Sequence, residues 1–116
     1  MTTIIENIKK EILSWPYVTS KPHRFGGLEF RINERELGHV HGDRLADLPF
    51  PMDVRNDLVN SGRVSPHHIL PQSGWVSCWI KGEEDIPVVI ELFKMRYDYL
   101  KPKMNLVSAT TMIDGL

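Results

Sequence analysis

The sequence predicts an α+β fold: a mainly antiparallel sheet of four to five strands with helices packed on one of its faces. Three observations carry that prediction. Short runs of alternating apolar and polar residues lie close together between residues 17 and 41, as neighbouring antiparallel strands do. Two longer stretches, near the start and from about residue 83 to 100, repeat their apolar residues at helical spacing. The resulting order is α-β-β-β-α-(β)-β-α, with strands grouped and helices outside them, which is an α+β arrangement.

The bulk numbers bound the problem. A chain of 116 residues suits one domain with one core. Its 41% hydrophobic and 25% charged residues are average for a globular protein. Fourteen basic residues against fifteen acidic ones leave a net charge of -1. That balance argues against a dedicated nucleic-acid binder, which needs a basic surplus to neutralise phosphates. The single cysteine, Cys78, rules out an internal disulfide and a cysteine metal cluster, and fits a reducing, cytoplasmic setting. Neither a signal peptide nor a membrane segment is expected, so no membrane partner is. One domain should span residues 1–102, with residues 103–116 as a loosely held tail.

The first helix is expected over residues 3–14, where Ile5, Ile8 and Ile12 form a stripe and Thr3 and Glu6 match a capping box. Trp15-Pro16 ends it. A short strand follows over 17–22, then a turn at 24–27. Residues 28–32 alternate, with Leu28, Phe30 and Ile32 inward. A hairpin at 33–35 leads into a strand over 36–41. Residues 42–51 hold two prolines and read as an irregular, stiffened loop. Residues 52–61 form a helix stopped by Gly62. His67 and His68 sit between Pro66 and Pro71 in a loop or brief strand. Residues 75–80 make an aromatic, β-branched strand. The last helix starts among Glu83, Glu84 and Asp85, where negative charge suits the helix dipole, and Pro102 breaks it.

Chemistry is expected around Leu37-Gly38-His39-Val40-His41-Gly42. Alternation in a strand puts His39 and His41 on one side, roughly 7 Å apart along the backbone. Either Leu37 faces the core and carries the histidines inward, or Val40 does and they face outward. His39 and His41 can offer two imidazoles to one divalent metal, with His67 as third ligand, or His68 in its place. Asp43 or Asp47 could supply a carboxylate, and Asp47 could orient a histidine. Without a metal, His39, His41, His67, His68 and Asp47 could act as acids, bases or donors to a small ligand. Alternatively, the histidines are structural and hold the 42–51 segment. Trp75, Trp79 and Phe50 are candidate pocket walls, though aromatic residues more often serve packing. Cys78 lies between apolar residues and reads as a small hydrophobe. Gly26, Gly27 and Gly38 read as turn glycines. Arg24, Arg31, Arg35 and Arg44 could bind an anion or simply be solvated.

The chain also carries a resemblance. Arg35-Glu36-Leu37-Gly38-His39-Val40-His41-Gly42, Ala46-Asp47-Leu48-Pro49-Phe50-Pro51, Pro66-His67-His68, Leu70-Pro71, Ser73-Gly74-Trp75-Val76-Ser77 and Ile90-Glu91-Leu92-Phe93 resemble a family of small proteins labelled "luciferase domain". The resemblance covers about two-thirds of the chain and implies no particular reaction. Nothing resembles the large flavin-dependent barrel luciferases, for which 116 residues are too few. In element order alone the chain is also similar to the YjbR/MmcQ family, with Pro66-His67 and Trp75 in comparable places. That similarity implies a small α+β domain with a role in DNA binding, which the near-neutral charge does not favour. Two functions follow: a small-ligand or metal-binding domain with a histidine-lined cleft, an enzyme in its fuller form, or a protein- or DNA-interaction module with structural histidines.

Overall fold

The computed structural model describes residues 3–103, the side chain of Phe25 excepted; the tail expected from residue 103 lies almost wholly outside them. The fold is α+β. Helix α1 (Ile4–Leu13) is followed by strands β1 (Val18–Pro22), β2 (Leu28–Ile32), β3 (Arg35–His41) and β4 (Leu45–Pro49). Helix α2 (Met52–Asn60), strands β5 (Ser65–Pro66) and β6 (Trp75–Trp79), and helix α3 (Ile86–Leu100) complete it. The six strands form one sheet in the order β1-β2-β3-β4-β6-β5, and every neighbouring pair is antiparallel.

The sheet exceeds the expected four to five strands because part of the 42–51 segment is β4. Ala46 and Leu48 point into the core, while Leu45, Asp47 and Pro49 point the other way. This is an ordinary period of two. Pro49 is tolerated because it closes the strand, opposite Trp75. The brief strand expected near His67 is the two-residue β5, slightly earlier in the chain, which pairs Ser65 and Pro66 with β6.

One face of the sheet meets the helices. Phe30 and Phe93 of α3 pack edge to face with ring centroids 5.3 Å apart. Ile8 and Ile12 of α1, Leu58 of α2 and Val89, Leu92 and Phe93 of α3 join Val40, Ala46, Leu48, Val76 and Cys78 in one apolar cluster. Gly38 belongs here and not in a turn. A Cβ at that position would lie 2.7 Å from the Asp47 carbonyl oxygen and 3.0 Å from the Phe93 ring, so the glycine lets α3 approach the sheet. Thr3 caps α1, its hydroxyl accepting from the Glu6 N–H at 3.1 Å.

Strand β3 resolves the choice between Leu37 and Val40: both are fully buried. Phe30 pairs with Gly38 but Arg31 with Glu36, so Leu37 is an extra residue on β3. Such a bulge shifts the alternation by one. Leu37 therefore reaches the core beside Val40, and Glu36 comes round to the face that bears His39 and His41.

Candidate functional site

The second face of the sheet carries polar side chains. Register places Glu29 beside His39, His39 beside Asp47, and Asp47 beside Ser77. These four and His67 are all the buried polar or charged residues among those described. Burying such groups costs free energy unless they satisfy one another, and the contacts show how they do.

Asp47 is the centre, fully buried on β4, one of the two central strands. Its Oδ1 accepts a hydrogen bond from the Ser77 hydroxyl at 2.7 Å. Its Oδ2 has no hydrogen-bond partner, yet three imidazole Nε2 atoms surround it: His39 at 3.4 Å, His41 at 3.4 Å and His67 at 3.5 Å. Those separations are long for N–H···O bonds, but the Asp47 charge still acts on each ring and favours its protonated form. Burial alone would raise the Asp47 pKa; contacts with His39 and Ser77 outweigh it and hold the carboxyl below its usual range.

The histidines differ. His39 Nδ1 lies 2.7 Å from Glu36 Oε2, a contact that depends on the bulge. Burial lowers the His39 pKa, but Asp47 and Glu36 more than reverse this and raise it to about 9. His41 and His67 are both lowered, first by burial and then by neighbouring imidazoles, against the pull of Asp47. His67 Nδ1 accepts the backbone N–H groups of Ile69 and Leu70, each at 3.1 Å. A nitrogen that accepts carries no proton, so neutral His67 holds its proton on Nε2, facing Asp47. Exposed His68 stacks on His67 at 4.4 Å, and its Nδ1 lies 3.2 Å from the Ser77 hydroxyl.

These residues floor a cleft of about 420 Å³, within the size of small-molecule sites. All five histidines of the chain line it. His23, which the sequence reading passed over, stacks on His39 with centroids 4.0 Å apart, and Glu29 holds its Nδ1 at 3.1 Å. Glu36 was missed as well. Its place three residues before His39 puts it on the opposite side of a regular strand, so no simple spacing reveals it. Arg24, Ile69, Leu70 and Trp75 form the walls.

Other candidates lie elsewhere. Phe50 is buried in the core, and its backbone N–H donates to the Gly74 carbonyl at 2.9 Å. Trp79 is 47% exposed outside the cleft lining, its ring 6.2 Å from that of His68. Asp43 accepts the Ile5 N–H at 2.8 Å and so ties the start of α1 to the β3–β4 turn. Cys78 is buried with apolar neighbours, its thiol pKa pushed up to about 11 by burial and then Asp85.

Fold and site together define a small α+β domain with a histidine-lined cleft on the sheet face away from the helices. The chain belongs to the luciferase-domain family: the family's model matches residues 34–96, more than half of its 116 residues. The matched span includes every cleft residue named above except His23, Arg24 and Glu29. No curated protein and no solved structure matches the chain. Among the described residues, no helix is long and apolar enough to cross a membrane.

Proposed function

We propose that this domain binds one divalent transition metal, of the zinc type, through His39 Nε2, His41 Nε2 and Asp47 Oδ2. The observation that carries this reading is the unpartnered, buried Asp47 Oδ2 with two imidazole Nε2 atoms 3.4 Å away. Bonds of about 2.0–2.1 Å to a tetrahedral ion put neighbouring donors about 3.3–3.4 Å apart. One donor atom from each of these three residues lies within 4.8 Å of the other two. Glu36 supports the reading, because a carboxylate on the far nitrogen of a ligating histidine fixes its tautomer and raises its basicity.

His67, the third imidazole expected in the set, takes another role here. A metal on its Nε2 would need the proton moved to Nδ1, against two backbone N–H groups. His67 instead donates towards Asp47 and fixes the loop that follows it. Three protein ligands leave one position open to the cleft, which is the composition of a catalytic zinc site. There the ion would lower the pKa of a bound water or polarise a carbonyl. His68, joined to Asp47 through Ser77, offers a proton path to solvent. The reading is thus a small-ligand enzyme working in the cytoplasm. The interaction-module alternative calls for dispersed histidines, and their collection in one cleft weighs against it.

Metal analysis of tag-free protein, followed by zinc and cobalt titration watched by histidine NMR, tests the proposal. One equivalent should bind and shift His39 and His41 together, and Asp47→Asn should weaken binding at least about tenfold, as for loss of a ligand. Absence of stoichiometric binding, with the five histidines titrating independently, overturns it.

A further inference from the structure

Resting on the metal reading above, we propose that the cleft's ligand is a small carboxylate with an apolar tail. Its carboxylate would meet the metal and Arg24, and its tail would lie on Ile69, Leu70 and Trp75.

The apolar wall is the first argument. Ile69 is 71% exposed and Leu70 49%, and both line the same cleft as half-buried Trp75. Adjacent large apolar side chains held in water mark a binding surface when they form one patch. Their exposure is built in, because the loop is tied down at several points. His67 Nδ1 accepts from the Ile69 and Leu70 N–H groups. The Ser73 hydroxyl donates to the Leu70 carbonyl at 2.7 Å and Arg55 to the Pro71 carbonyl at 2.6 Å. The Trp75 ring stands 5.4 Å from that of His39, so the apolar wall begins where the proposed metal ligands end. One short molecule can touch both.

Charge is the second argument. Asp47 and Glu36 together would balance the two charges of a divalent ion, with a neutral His39 between them. Glu29 is balanced by Arg31 at 3.0 Å. Arg24 lines the same cleft and makes no ion pair among the described residues. The loaded cleft therefore keeps the one positive charge of Arg24, and this with the open metal position favours an anionic head. The N–H groups of Ile69 and Leu70 are spent on His67 and cannot cradle a phosphate. An arginine and one open metal position suit the two oxygens of a carboxylate.

The test uses the full chain and reads zinc stoichiometry first. Acetate, hexanoate, hexanol and hexylphosphonate are then titrated into zinc-loaded protein and followed by calorimetry and the Trp75 indole N–H signal. Hexanoate should bind about tenfold or more tighter than acetate, since the added methylenes would be buried. Hexanol should bind weakly. Leu70→Ser should bring hexanoate towards acetate with zinc uptake unchanged, and Arg24→Gln should weaken both acids alike. Equal affinity for acetate and hexanoate, or stronger binding of hexanol or hexylphosphonate, overturns this inference and leaves the metal reading standing. Failure to take up zinc overturns both.

Discussion

Three helices close one face of the sheet, while a short loop borders the cleft on the other. On the helical face Phe30, Val40, Ala46, Leu48 and Val76 need only apolar partners of the right shape, and α1 and α3 supply them. Hydrophobic burial is non-directional and scales with area. On the second face Glu29, His39, Asp47 and Ser77 need particular donors and acceptors in particular places, and the strand register provides them. Stability therefore rests chiefly on the first face, and the proposed chemistry on the second. The two meet on alternate residues of the same strands: Leu48 and Asp47, Val40 and His39, Val76 and Ser77.

The sharpest way to break this division is to damage one face and read the other. Phe93→Ala removes the aromatic ring that packs on Phe30 and over Gly38. It should cost about 3–5 kcal/mol in urea unfolding, the range for a buried aromatic cut back to alanine. The fraction that stays folded should bind zinc with unchanged affinity. If affinity falls along with stability, the faces are one cooperative unit and the division is wrong.

The helical face was legible in the sequence because apolar periodicity records it directly. Helices α1 and α3 follow their isoleucine and phenylalanine spacing, and β2 its clean alternation. Strand β4 was not, because Pro49 and Pro51 signal a loop more loudly than Ala46 and Leu48 signal a strand. The polar face was legible in part. His39 and His41 stand out through their spacing. Glu36 is hidden by a bulge, which shifts the strand's parity and leaves no composition signal. His23 follows Pro22 at the end of β1 and reaches His39 only through tertiary contact. Phe50 and Trp79 were drawn to the cleft by residue type. One is in the core and the other faces solvent beyond it.

A pH comparison separates the faces more gently. His39 is raised from its ordinary 6.5 to about 9. A raised folded pKa gives stability that is fully present below pH 6.5 and is lost as pH climbs through 9. The shift corresponds to about 3 kcal/mol at most. His41 and His67 are lowered, so they act in the opposite sense and cost stability as pH falls below 6.5. Chelator-treated protein should thus be most stable near neutrality and weaken between pH 7 and 9.5. His39→Gln should flatten that alkaline decline. Zinc, if it binds as proposed, displaces the His39 Nε2 proton and should flatten it too. An alkaline decline that survives in His39→Gln would place its origin elsewhere.

The smallest effect asks whether the loop is held as firmly as the helices hold their face. In His67→Asn the shorter amide can still offer an oxygen to the Ile69 and Leu70 N–H groups, while the Nε2–H that faces Asp47 is lost. In His67→Ala both are lost. The alanine variant should cost about 1–2 kcal/mol and the asparagine variant about 1 kcal/mol or less, as for hydrogen bonds partly replaced by water. Hydrogen exchange gives the cleaner readout. The Ile69 and Leu70 amides should lose protection in the alanine variant and keep most of it in the asparagine variant. Both should bind zinc within a few-fold of the parent, because the proton on Nε2 keeps His67 out of the ligand set. Loss of zinc from the asparagine variant with its loop amides still protected would make His67 a ligand after all, and the polar face would be held together by the metal rather than by register.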